Sequence, residues 1–146
     1  MSELFSNQIF WTAIAANVVA QTLKLFLDFF KSGELELRRL LDTGGMPSAH
    51  SATVSALAVA LSEGWDSPLF AVAAVFALVV MYDATGIRRH AGQQAELLNR
   101  ILDEFPHIKA EFSQDPLKEL LGHSFLEVLV GALIGAGVAV LSFSLF

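Results

Sequence analysis

The sequence contains no cysteine, and only 16% of its 146 residues are charged. Without cysteine, the chain can form neither disulfides nor thiolate metal sites. Soluble proteins carry about 25% charged residues, whereas this chain is 54% hydrophobic and includes twelve Phe. The shortage of charge therefore indicates a protein that uses lipid as its solvent over much of its length.

Basic residues are also scarce. Nine Lys and Arg stand against fifteen Asp and Glu, and the resulting net charge of −6 argues against a nucleic-acid partner. The segment Met1–Phe5 has no Lys or Arg, so it lacks the basic region of a secretory signal, and we expect the first apolar run to be a permanent part of the protein. The length predicts a single domain over residues 1–146.

Four apolar segments predict an all-α fold, an integral membrane helical bundle with about four transmembrane helices. They are Ile9–Phe30, Pro47–Ser62, Leu69–Met81 and Ser124–Phe146. The first is long enough to cross a hydrocarbon core of about 30 Å. The second is short and contains several serines, so we expect its first turn to lie in a cavity.

A further helix over His90–Phe105 has its apolar residues at helical spacing, which predicts an amphipathic helix on the membrane surface or against the loops. Basic residues concentrate in the segments after the first and third spans. The positive-inside rule then predicts that these segments lie in the cytoplasm. We expect the membrane to be the plasma membrane. In the last span, Gly131, Gly135 and Gly137 permit close helix contact, within the chain or in a homo-oligomer.

The string Gly44–Ser51 (GGMPSAHS) lies between a charged segment and an apolar one. Pro47 is suited to a first helical turn, and the unpaired N–H groups at such a helix start attract anions, phosphate above all. His50 would then stand beside the bound anion, on the cytoplasmic side. An ordinary helix start with an incidental histidine is the alternative interpretation.

A second cluster ends the third predicted span, with Asp83, Arg88 and Arg89. Guanidinium groups bind phosphate through paired hydrogen bonds, so either arginine is a candidate phosphate ligand. Asp83 has two interpretations: it pairs with Arg88 or Arg39, or it binds a divalent metal such as Mg²⁺.

A third cluster begins the last span. His123 and Glu127 are four residues apart and therefore share one helical face. A carboxylate in that position fixes the tautomer of the imidazole and leaves its other nitrogen free to react. A purely structural His–Glu pair is the alternative.

The strings GGMPSAHSA, YDATGIRR and GH-x-x-x-EV, in this order, resemble the divergent bacterial and plant branch of the type 2 phosphatidic acid phosphatase superfamily, described as related to acid phosphatases and vanadium haloperoxidases. Pro47–His50 is similar to its Pro-Ser-Gly-His motif. His123–Gly131 is similar to its His-x-x-x-Asp-Val-x-x-Gly motif, with Glu127 in place of the aspartate. The resemblance covers nearly the whole chain.

The resemblance implies a lipid or isoprenoid phosphate phosphatase with no required metal. His123 would be the nucleophile that forms a phosphohistidine, Glu127 would orient it, and His50 would protonate the leaving oxygen. The residues predicted to bind the phosphate are Ser48, Gly45, Arg88, Arg89, Lys24 and Arg39.

Two elements of the superfamily pattern are absent. The first motif, a lysine followed seven residues later by Arg-Pro, does not occur in that form, and no Ser-Arg precedes His123. These departures support a second hypothesis of another class, a non-catalytic membrane protein that binds anionic lipid headgroups or acts as an assembly partner.

Overall fold

A computed structural model describes residues 5–33, 44–62, 66–105, 107, 116–117 and 122–145. Within these ranges the regular elements are all helical, which confirms the predicted all-α fold. The described residues form the helices α1 (Gln8–Ser32), α2 (Ala49–Ala60), α3 (Pro68–Thr85), α4 (Ile87–Glu104) and α5 (Phe125–Leu145).

Among the described residues, three segments are long and apolar enough to cross a membrane: α1, the consecutive helices α3 and α4, and α5. The second predicted segment, already short in the sequence, forms α2, which has only 12 residues. At 1.5 Å per residue it extends about 18 Å, well short of a hydrocarbon core. The predicted span shortens at its start because Ser48 caps the helix and leaves Pro47 outside it.

The short helix α2 occupies the centre of the bundle, where it packs against α1, α3 and α5. The buried core around it consists of alanine: Ala16, Ala20, Ala49, Ala52, Ala56 and Ala139. Such small side chains let helix backbones approach closely, and in lipid this close packing replaces the hydrophobic effect as the source of association.

Two glycines of α5 bring it against α2. A Cβ at Gly131 would overlap the carbonyl oxygen of Ser48, and one at Gly135 would overlap that of Ala52. The predicted close packing is therefore confirmed for these two glycines, but within the chain, so they do not form a free face for a second copy. Gly137 makes no such contact within the chain, because a Cβ there would meet nothing within 4 Å.

The amphipathic helix α4 follows α3 directly, with Gly86 as the only residue between them. It begins at Ile87 rather than at His90, so Arg88 and Arg89 lie in its first turn instead of ending the preceding span. Among the helices described, α4 packs chiefly against α3.

The bundle has two ends of different character. At one end, Gln8 and Thr12 near the start of α1 bond to Ser142 near the end of α5; the Thr12 and Ser142 hydroxyl oxygens are 2.8 Å apart. At the other end, α2 and α5 begin and α3 ends. This second end therefore brings the three sequence motifs together.

Candidate active site

Backbone hydrogen bonds join the three motif segments. The N–H of Ser48, before α2, donates to the carbonyl of Glu127 at 3.0 Å, and the N–H of His123 donates to the carbonyl of Ala84 at 3.0 Å. Position 122 accommodates only glycine, because a Cβ added there would lie 2.6 Å from the backbone nitrogen of Arg89. The main chain thus sets the distance between the motifs.

The segment before α2 is built by local contacts. The Ser48 side chain accepts hydrogen bonds from the N–H of Ser51 at 3.4 Å and from its hydroxyl at 3.0 Å, which makes Ser48 the N-cap. Gly45 has a φ of +83° and lies beside buried Lys24, whose Cε is 3.3 Å from the position of a Cβ. The Met46–Pro47 peptide bond is cis.

The start of α5 forms a capping box, which the motif resemblance does not predict. The N–H of Ser124 donates to the Glu127 carboxylate at 3.0 Å, and the N–H of Glu127 donates to the Ser124 hydroxyl at 3.3 Å. The same carboxylate oxygen lies 3.2 Å from Nδ1 of His123. Glu127 therefore caps the helix and contacts the histidine with one oxygen.

The two motif histidines face each other. The ring centroids of His50 and His123 are 6.3 Å apart, with the ring planes at 60°. His123 is buried, whereas His50 is exposed to the cavity between them. This cavity has a volume of about 200 Å³ and is lined by His50, Val79, Val80, Asp83, Ala84, Arg88, Gly122 and His123.

One ion pair lies in the cavity wall. Nε of Arg88 is 2.7 Å from a carboxylate oxygen of Asp83, across the joint between α3 and α4. This contact favours the pairing interpretation of Asp83 over metal binding. The described part of the chain contains no group of three His, Asp or Glu side chains able to hold a metal ion.

Charged groups of several elements act on His50. The positive charges of Arg88 and Lys24 interact with it electrostatically, as does the negative charge of Asp83. A mainly positive surrounding of this kind favours an anion in the cavity. Lys24 therefore contributes charge to the site although it is absent from the cavity lining.

The remaining predicted phosphate ligands are placed differently. Ser48 is fully buried and its polar groups bind within the fold, so it lies outside the described lining of the cavity, as does Gly45. Arg89 is exposed and is also absent from that lining. Arg39 lies outside the described residues. Of the five predicted phosphate ligands that the structure describes, Arg88 is the one that lines the cavity.

Sequence reasoning also missed part of the cavity wall. Val79, Val80 and Ala84 line the cavity together with Gly122. The apolar residues carry no recognisable signal, because they resemble any other residue of a membrane span. Gly122 carries a weak one, since a glycine next to a candidate catalytic histidine indicates a close backbone approach.

Comparisons with known proteins identify the family of this chain. The chain is 44% identical over 145 residues to the uncharacterized membrane protein YuiD of Bacillus subtilis (strain 168), and the alignment covers 91% of this chain and 92% of that protein. No solved structure matches the chain. The family model described as the divergent PAP2 family matches residues 5–138, and the chain belongs to that family.

Proposed function

We propose that the protein is a membrane phosphatase that hydrolyses the phosphate ester or diphosphate of a lipid or isoprenoid through a phosphohistidine. The observation that carries the proposal is the pair of histidines 6.3 Å apart across a small cavity, with Glu127 on one of them and Arg88 in the wall. Membership of the divergent PAP2 family and the resemblance of three motifs to the wider phosphatase superfamily support it.

Glu127 suits His123 to nucleophilic attack. With the proton on Nδ1, the His123 ring donates to the Glu127 carboxylate, and the lone pair of Nε2 is free to react. The negative charge also stabilises the ring as it becomes positive during attack. In the first step Nε2 forms a bond to phosphorus, while the bond between phosphorus and the ester oxygen breaks.

His50 is placed to move the proton in both steps. As a protonated imidazole it donates to the leaving oxygen, which departs as an alcohol, or as a phosphate when the substrate is a diphosphate. The neutral ring then accepts a proton from the attacking water, whose oxygen bonds to phosphorus while the bond to Nε2 breaks. Its exposure to the cavity permits this exchange with water.

Arg88 supplies the positive charge. Phosphoryl transfer depends chiefly on positioning and on neutralising the charge of the phosphoryl oxygens. The guanidinium binds Asp83 through Nε, and the N–H groups of its two terminal nitrogens are further donors for a phosphate. Lys24 adds a longer-range contribution.

The test is phosphate release by the purified protein in detergent. The substrates are phosphatidic acid, phosphatidylglycerophosphate and polyprenyl mono- and diphosphates, each with and without Mg²⁺. We expect release from at least one substrate and its loss in His123→Ala, with a phosphorylated intermediate trapped in wild type. Full release by His123→Ala would show that the nucleophile assignment is wrong.

The second candidate is a non-catalytic protein that binds anionic headgroups. The contact that favours it is the Asp83–Arg88 ion pair, because a carboxylate beside the principal cation weakens attraction for a phosphoryl transition state. Binding of anionic lipid that survives both His50→Ala and His123→Ala, with no release across the panel, would favour this candidate.

We also propose that the site faces the cytoplasm of the cell from the plasma membrane. Lys31, Arg88, Arg89 and Arg100 all lie toward the site end of the bundle or in α4, which continues from it. The positive-inside rule assigns this end to the cytoplasm.

A further inference from the structure

An apolar groove runs between α3 and α5 on the outside of the bundle. Its volume is about 610 Å³, and its lining includes Leu78, Tyr82 and Thr85 from α3 with Phe125 and Val128 from α5. Val128 is buried in the floor, while Tyr82 and Phe125 are exposed at the edges. Since both helices belong to segments able to cross the membrane, the groove opens toward lipid.

The groove adjoins the candidate active site. Val79 lines both the groove and the cavity that holds the two histidines. On α5, Phe125 follows His123 by two residues, and Val128 follows Glu127 directly. An apolar chain in the groove would therefore end beside the reacting groups.

The two spaces differ in size and chemistry. Pockets for drug-sized ligands span about 300–1,000 Å³, so the cavity of 200 Å³ is small enough to select a phosphoryl group, whereas the groove of 610 Å³ falls within that range. The cavity contains Asp83 and Arg88, but the groove offers polar groups only at Tyr82 and Thr85.

We propose that this groove binds the hydrocarbon chain of the phosphate ester whose headgroup enters the cavity. The inference rests on the proposed function and specifies its substrate as an ester with a long apolar chain bound along α3 and α5. From Thr85 to Leu78 is seven residues, so the groove covers about 10 Å of chain. An ester with a shorter chain would leave part of it unfilled.

The test is the substitution Leu78→Trp, which places a larger side chain in the groove. Leu69→Trp is the matched control, because it is the same change at a similarly exposed position of α3 (63% against 67% exposed) outside the groove lining. Nine residues separate the two positions, about two and a half turns, so they lie on opposite faces. Thermal unfolding in detergent checks that both variants fold.

Phosphate release is measured with dodecyl, farnesyl and butyl phosphate, and binding with dodecylphosphonate, which cannot be hydrolysed. We expect Leu78→Trp to raise KM for the two long-chain esters and Kd for the phosphonate by about tenfold, a change of roughly 1.4 kcal/mol. Butyl phosphate and the Leu69→Trp variant should show little change. A change for dodecyl but not farnesyl phosphate would assign the groove to straight chains.

Failure of the inference and failure of the proposed function give different results. Equal phosphonate affinity in the Leu78→Trp and Leu69→Trp variants would show that the groove holds bulk lipid only and would overturn the inference, whatever the activity. No phosphate release from any substrate, combined with weaker phosphonate binding in Leu78→Trp alone, would reject the phosphatase and retain the groove as a binding site.

Discussion

The N–H of Ser48 donates to the backbone carbonyl of Glu127 at 3.0 Å, and this bond fixes the start of α2 against the first turn of α5. Ser48 lies two residues before His50, and Glu127 lies four residues after His123. The separation of the two imidazoles is therefore set by the main chain. Any change that moves α2 away from α5 should move the histidines apart.

Gly131→Ala tests this dependence, because the added Cβ would overlap the Ser48 carbonyl oxygen. We expect a loss of about 1–3 kcal/mol in stability, the range for overpacked sites, together with reduced phosphate release. The measurements are thermal unfolding in detergent and activity at a temperature where the variant is folded.

The matched control for that variant is Gly137→Ala. Gly137 lies in the same helix with open space around it. Since alanine is favoured over glycine in a helix by about 0.5–1 kcal/mol, stability should stay the same or rise. Equal destabilisation by both substitutions would contradict the close contact between α2 and α5.

Glu127 caps α5 and stabilises the His123 ring, and two substitutions distinguish these roles. Glu127→Gln preserves the capping box, since glutamine also serves at that position, but it removes the charge that stabilises the His123 imidazolium. We expect a thermal unfolding temperature close to that of wild type. Phosphate release should fall by about 10²–10⁴-fold, and the upper value is the effect of a comparable change in a Ser-His-Asp triad.

Glu127→Ala removes both roles and should lower stability as well, by roughly 0.5–2 kcal/mol, the range for a lost helix cap. A Glu127→Gln variant with full activity would leave the residue with its capping role alone.

Apolar length in the sequence predicts the helices, which the structure confirms. The motifs that predict the candidate site lie together at one end of the bundle. Lys24 shows the limit of such reasoning. The sequence places it in the first apolar segment and among the predicted phosphate ligands. It does not predict the burial of Lys24 beside Gly45, which depends on how the residues just before α2 pack against α1.

Ser48 shows a second limit. A helix start predicts donors for an anion, but the sequence does not reveal that the Ser48 N–H is used by Glu127 and its side chain by Ser51. Long-range backbone contacts of this kind depend on the packing of α2 against α5. The sequence likewise does not distinguish Arg88 from Arg89 as a phosphate ligand. Arg88 lines the cavity because α4 begins at Ile87.

His50→Gln tests the proton donor. A general acid matters most when the leaving group is a poor one, so hydrolysis of a lipid phosphate should fall by about 10²–10⁴-fold. Para-nitrophenyl phosphate has a leaving group that needs little protonation, and its hydrolysis should fall much less. An equal loss for both esters would indicate that His50 binds the phosphate instead of donating a proton.

The charges around the cavity predict that removing the charge of Asp83 and removing the charge of Arg88 have opposite effects on phosphate binding. Asp83→Asn removes a carboxylate that competes for Arg88 and should tighten the binding of inorganic phosphate, whereas Arg88→Gln should weaken it, each by about tenfold. The Asp83–Arg88 pair is substantially exposed, so stability should change little.

Arg89→Gln is the control for these charge changes, since it removes the same charge from a side chain outside the described cavity lining. Calorimetric titration with inorganic phosphate measures all three variants. Equal weakening by Arg88→Gln and Arg89→Gln would mean that the arginines act through general charge and not through contact.

The orientation of the site can be measured directly, because the chain has no cysteine to give a background signal. Asp66→Cys places a thiol just before α3, at the end of the bundle opposite the site, and Arg100→Cys places one on α4. Both positions are exposed and therefore accessible to reagent. In intact bacterial cells, a membrane-impermeant maleimide should label Asp66→Cys at once and Arg100→Cys only after permeabilisation. The reverse pattern would place the two histidines on the outer face, where the substrate would have to be a lipid phosphate of the outer leaflet.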